Sequence, residues 1–155
     1  MNIPSRKECI AILNKNKTPS NVISHSKTVC KVAESIVKRL IENGTKVSKE
    51  LVIAAALLHD IEREKKNHVI AGAKLIKKLG YPDVAKVMLR HTLYKLKDNE
   101  PKTIEEKVVF YADKRVLHDK IVSMEKRYED LKKRYNTDLK WEMDFSKNIE
   151  KELLE

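Results

Sequence analysis

Glycine and proline are scarce, three and four in 155 residues, and aromatic side chains make up only 5% of the chain. Such a sequence holds little of what tight hairpins and aromatic-rich sheets draw on. Lys, Glu, Leu, Ile and Val abound instead, and this composition predicts a mostly helical protein. The two cysteines, Cys9 and Cys30, have no metal-type spacing and are too few for a disulfide framework. No apolar run approaches the ~20 residues that span a bilayer, and Met1-Asn2-Ile3-Pro4 opens no secretory leader, so the expectation is a soluble, cytoplasmic protein with no membrane partner. Internal repeats and linker-like stretches are also missing, and the length suits one domain with a real core.

What the chain has in excess is charge: 36% of residues are charged and the formal net charge is +10. That balance attracts anions, whether phosphorylated small molecules, nucleic acid or acidic membrane, and does not choose among them.

Helix signals follow one another along the chain. Ser5-Arg6-Lys7-Glu8 is a capping box before Cys9, Ile10, Ile12 and Leu13. Thr18-Pro19-Ser20 opens a longer helix that Gly44 ends, with Val22, Val29, Val32, Ala33, Ile36 and Leu40 at helical spacing. Val47-Ser48 reads as staple and N-cap for the helix Leu51 to His59, and Ile61 to Lys66 as a charged loop. Asn67 is expected to cap a helix with Ala71, Gly72, Leu75, Ile76 and Leu79 inward, stopped by Gly80. Pro82 starts the next, and Thr103-Ile104-Glu105-Glu106 caps another that carries Val109, Ala112, Val116 and Leu117 on one face. Ile121, Met124, Tyr128, Leu131 and Tyr135 then form a short a/d-like seam, and Leu139 to Leu153 a final helix.

Four of the five histidines fall on these apolar faces: His25, His59, His68 and His91. Asp113 does the same, and Asp60 follows His59 directly; His118 falls on a charged face and stands apart. One inward histidine is ordinarily a hydrogen-bonded core residue. Four imidazoles and two carboxylates aimed into one small core are costly unless they meet each other or a cation. Imidazole with carboxylate suits Fe, Mn, Zn or Co better than Mg. Six groups exceed what one open catalytic ion takes from protein, which leaves room for one ion or two, with Asp60 as the bridge between two and the centre of the catalytic machinery.

The ordered set His25, His59-Asp60, His68, His91 and Asp113 resembles the HD-domain metal-dependent phosphohydrolase superfamily over residues 20–120 or so. The resemblance implies an all-α HD-domain bundle of about six to eight helices: a single domain over 1–155, its core at about 20–120, with 121–155 a helical extension packing on the domain or a partner, a homodimer among the options. It also implies a first metal held by His25, His59, Asp60 and Asp113, and a second completed by His68 and His91. The expected reaction is hydrolysis of a phosphoester or phosphoanhydride in a nucleotide-like substrate by metal-bound hydroxide. Leu57-Leu58-His59-Asp60, His68 to Gly72 and Tyr111-Ala112-Asp113 look most like the small bacterial HD proteins that cleave diadenosine tetraphosphate symmetrically. Thr92-Leu93-Tyr94 departs from that group after His91, a difference that bears on the substrate.

Arg63, Lys66, Arg90 and Lys114 neighbour ligands in sequence and are the expected contacts for substrate phosphate, against the plain alternative of solvated surface. Tyr94 and Tyr111 are candidates for stacking on a base. Two other functions compete. A non-catalytic metal- or nucleotide-binding HD signalling module would not need every ligand position filled, as it is here. Nucleic-acid binding would rest on charge alone, with little aromatic interleaving, and is the least favoured partner.

Overall fold

The computed structural model describes residues 1–93 and 95–155; Tyr94, and with it one stacking candidate, lies outside the described residues. Among the described residues eight α-helices carry the fold: α1 (Arg6–Lys15), α2 (Ser20–Glu42), α3 (Lys49–Leu58), α4 (His68–Lys78), α5 (Pro82–Met88), α6 (Ile104–Asp113), α7 (Met124–Tyr135) and α8 (Lys140–Leu154). The expected all-α bundle is thus observed. It also holds a hairpin of two-residue strands, β1 (Val116–Leu117) and β2 (Lys120–Ile121).

Helix α3 is the axis of the bundle. Ala54, Ala55, Ala56, Leu57 and Leu58 are all buried, so the helix is apolar around its circumference and must be wrapped. Helices α1, α2, α5 and α6 pack around it. The ends are set by the expected chemistry: Ser5 and Thr103 form reciprocal capping boxes with Glu8 and Glu106, and Ser48 accepts from the Leu51 amide. At the end of α2, Gly44 takes φ +83° while the Thr45 amide reaches the Leu40 carbonyl at 2.8 Å. That reversal is the left-handed helix stop that glycine makes without strain.

Four expectations need correction. Asn67 precedes α4 in a left-handed conformation and its side chain makes no capping bond. Leu79, expected inward, is exposed. Val116 and Leu117 are not on α6, which ends at Asp113; they form the first strand of the hairpin. The seam after it is shorter than its spacing implies: Met124, Tyr128 and Leu131 are buried in the chain's own core, whereas Ile121 and Tyr135 are exposed. Tyr128 reaches Ser146 of α8 at 2.5 Å, and Phe110 meets Phe145 edge to face, so α8 closes over α6 and α7.

Cys9 and Cys30 are both buried and unbridged. Burial pushes the Cys9 thiol up to about 12 and raises Cys30 as well, the nearby Arg6 guanidinium only partly opposing it. The reactive thiolate is therefore suppressed at neutral pH. The folded protein is expected to leave both thiols unmodified by a disulfide-exchange reagent at pH 8, and to release two equivalents once denatured. Fast modification of the native protein contradicts this packing.

Candidate metal centre

The ligand candidates arrive mostly on helix ends. His25 projects from the second turn of α2, His59 caps the C-terminus of α3, and Asp60 follows it. His68 opens α4, His91 lies three residues past the end of α5, and Asp113 is the last residue of α6. The C-termini of α3, α5 and α6 therefore converge here. Each brings the negative end of a helix dipole, and neither α3 nor α6 has a basic residue in its last turn to balance it. Two carboxylates at such a convergence are favourable only with cations beside them.

Three of the imidazoles are oriented by the backbone. His59 Nδ1 donates to the Ala56 carbonyl and His91 Nδ1 to the Met88 carbonyl, each at 2.6 Å and three residues back. Both therefore use carbonyls at the end of a helix, the Met88 carbonyl also accepting the His91 amide at 3.4 Å. His25 Nδ1 is 2.6 Å from the His118 carbonyl, across the fold. With the proton held on Nδ1, each ring turns its Nε2 lone pair into the centre.

The inward atoms form two groups that share Asp60. In the first, Asp113 Oδ1 is 3.1 Å from His25 Nε2 and 3.3 Å from His59 Nε2. Asp60 Oδ2 is 3.6 Å from His25 Nε2 and 3.5 Å from His59 Nε2. In the second, the other oxygen, Oδ1, is 3.6 Å from His91 Nε2 and 4.0 Å from His68 Nε2. Ligands bonded to one ion at ~2.0–2.2 Å are themselves about 3.0–3.5 Å apart, so the first group has the spacing of a coordination shell. Buried His59 Nε2 makes no hydrogen bond among the described residues. Its lone pair faces carboxylate oxygens, an arrangement that calls for a cation between them.

Electrostatics agree. Burial alone lowers the pKa of His59, but Asp60 and Asp113 overcome it and raise the group to about 9, so a proton answers the demand for positive charge when no ion does. Burial works against ionised Asp60, yet His59 and His91 hold its carboxyl well below the usual range. Asp113 is held low against the same burial, first by Lys114 and then by His25 and His59. The donor set fits a divalent transition metal.

The expected substrate contacts fare unevenly. Arg63 lines the cleft over the centre, but its Nη1 lies 3.0 Å from His68 Nε2, so His68 already accepts a hydrogen bond there. Lys114 also borders the cleft, yet its ammonium is buried and spent on Asp113 Oδ2 at 2.7 Å and the His91 carbonyl at 2.9 Å. It ties two ligand segments together rather than waiting for substrate. Arg90 turns away to the Glu100 carbonyl at 2.8 Å, and exposed Lys66 does not border the cleft. Tyr111 is buried, its hydroxyl bonded to Glu150 and Arg115, and has no face free for a base.

Sequence reasoning missed two contributors. His118 serves through its carbonyl, at a hairpin turn where its φ is +55°. Arg127 of α7 reaches Asp113 from the opposite wall. Its position between Met124 and Leu131 on the apolar face of α7 was the available signal.

A helical bundle with a shared histidine and aspartate centre at its helix ends defines a class of metal-ligating α-domains. The model for the HD domain matches residues 22–116, and the chain belongs to that family. It is similar to the tRNA (cytidine(56)-2'-O)-methyltransferase of Picrophilus torridus, 36% identical over 147 positions covering 83% of this chain and 42% of that protein. The protein of the same name from Thermoplasma volcanium is 28% identical over 148 positions, with 85% and 42% covered. An uncharacterized protein of Methanocaldococcus jannaschii is 29% identical over 136 positions, 77% of this chain and 80% of its own length. The chain thus spans less than half of the two named relatives. No solved structure matches it. Among the described residues no helix is long and apolar enough to cross a membrane.

Proposed function

We propose that the chain is a metal-dependent phosphohydrolase that cleaves a phosphoester or phosphoanhydride of a nucleotide-like substrate. The observation that carries this reading is the division of the Asp60 carboxylate, one oxygen toward His25 and His59 and the other toward His68 and His91. His25, His59, Asp60 and Asp113 would hold a first ion, and Asp60, His68 and His91 a second, with Arg63 giving up its bond to His68 Nε2 when that ion binds. Divalent Fe, Mn, Zn or Co supplies Lewis-acid polarisation of phosphoryl oxygen and lowers the pKa of water. The chain's own work is orientation. The Nδ1 bonds fix three rings, Lys114 neutralises the outer oxygen of Asp113, and Arg63 presents a guanidinium at the cleft.

Dinucleoside polyphosphates stay within this substrate class, as the resemblance implies. A second reading of the substrate comes from the relatives: two proteins named as tRNA methyltransferases contain a segment like this chain, which favours a phosphate on RNA. One panel tests both. Protein loaded with Mn or Fe is offered dinucleoside polyphosphates, nucleoside monophosphates, guanosine alarmones and RNA with terminal or cyclic phosphates. Metal-dependent release of phosphate or nucleotide from one class is the expected result. A folded, metal-free protein that cleaves none of them, and whose Asp60→Ala variant behaves identically, points instead to a non-catalytic module.

A further inference from the structure

The cleft over the metal centre has a volume of about 1360 Å³ and runs well past it, from α2 and α4 to α7. That is more than a compact anion fills; drug-sized ligands occupy ~300–1,000 Å³. The extension is walled by residues beyond the family match at 22–116: Leu117, Arg127, Leu131, Arg134, Tyr135 and Leu139. Arg127 is only 8% exposed, yet its Nη1, itself buried, has no hydrogen-bond partner among the described residues. Its Nε donates to the Asp113 carbonyl at 3.4 Å, while Nη2 and Nη1 stand 4.0 Å from the Asp113 and Asp130 carboxylates. A guanidinium that borders the cleft beside a metal ligand, and stands 4.0 Å from two carboxylates without a close pair to either, has the chemistry of a phosphate fork.

Further along α7 the wall changes character. Leu131 lies one turn beyond Arg127, and exposed Tyr135 one turn beyond that, and Leu117 and Leu139 also line the cleft. This makes an apolar shelf with an aromatic face at its edge.

Resting on the phosphohydrolase reading, we infer that α7 is the substrate-selecting wall: Arg127 grips the phosphate next to the metal centre, and the shelf ending at Tyr135 takes the nucleoside. The substrate is then a nucleoside phosphate rather than an inorganic phosphate or a small sugar phosphate.

The test is calorimetric binding of inorganic phosphate and of adenosine 5′-monophosphate, with and without Mn, to the full chain and to R127M, R127K and Y135A. Metal content is measured on each protein. Wild type is expected to bind the nucleotide more tightly than phosphate. R127M should weaken both by about 10-fold or more, the size of a lost charged hydrogen bond, with metal content unchanged. R127K should weaken both by less, because a point charge replaces the fork, and it serves if R127M does not fold. Y135A should weaken the nucleotide by about 5-fold or more and leave phosphate alone, as loss of a stacking face predicts. Equal phosphate affinity in wild type and both Arg127 variants overturns the anchor, as does loss of metal in R127M, since Arg127 would then act only through Asp113. Equal binding of nucleotide and phosphate by wild type overturns the shelf. Failure of the phosphohydrolase reading shows separately, as wild type that takes up no metal.

Discussion

Asp60→Ala is expected to empty the centre of metal and to end hydrolysis, while the protein remains folded. Both oxygens of this carboxylate are committed, one to each group of histidines, so its loss removes a ligand from two positions at once. Losing an outer-shell partner of a metal ligand costs ~10–100-fold in affinity, and loss of a shared ligand should exceed the upper end of that range. Folding should survive because the surrounding core, from Ala54 to Leu58 on α3, does not depend on the carboxylate. Elemental analysis and circular dichroism on the same sample separate the outcomes. A variant that retains full metal content shows that Asp60 is no bridge; one that retains turnover after losing its metal removes the metal-dependent reading altogether.

Lys114→Met is expected to produce the largest loss of stability. The ammonium is 3% exposed and 2.7 Å from an Asp113 carboxylate that is itself buried. Burial depresses the lysine's pKa, and Asp113 is the main group holding it up. Methionine fills similar space but leaves the carboxylate without its closest cation. Removing one partner of a buried pair costs about 3–5 kcal/mol, or about 10 °C in Tm for a chain of this length. A divalent ion on Asp113 would take over part of the missing charge. The shortfall should accordingly be greatest in a chelator and smaller with Mn, as read by thermal unfolding in both. An identical shortfall in the two conditions means that no ion reaches Asp113.

The bundle was legible in the sequence because its signals are local. Capping boxes at Ser5 and Thr103 and the glycine stop at Gly44 are decided within one turn of chain, and the structure has them in place. The six inward groups were legible for a similar reason, since each interrupts an apolar face of its own segment, and the structure gathers them into two clusters. The errors arose where the deciding interaction is distant. Nothing near Val116 shows that α6 must stop, because the hairpin is pinned to α2 by His25 and Thr28 through the His118 and Asp119 carbonyls. Lys114 and Arg90 looked equally available beside their ligands. Only the fold reveals that one ammonium is buried against Asp113 and that one guanidinium is held by Glu100. Arg127 was passed over because it belongs to a segment read for packing alone.

The bond from His25 to the His118 carbonyl spans 93 residues, and that from His25 to Asp113 spans 88. A stretch of chain that ends before the hairpin lacks the carbonyl that orients the His25 ring. During synthesis the centre would become complete only once the hairpin has emerged, since its closure spans a long loop and that entropy must be met before the contact returns anything. Until the hairpin docks, the His25 ring is free to turn its Nε2 away from Asp60 and Asp113, so the hairpin acts as the latch on one ligand of the centre.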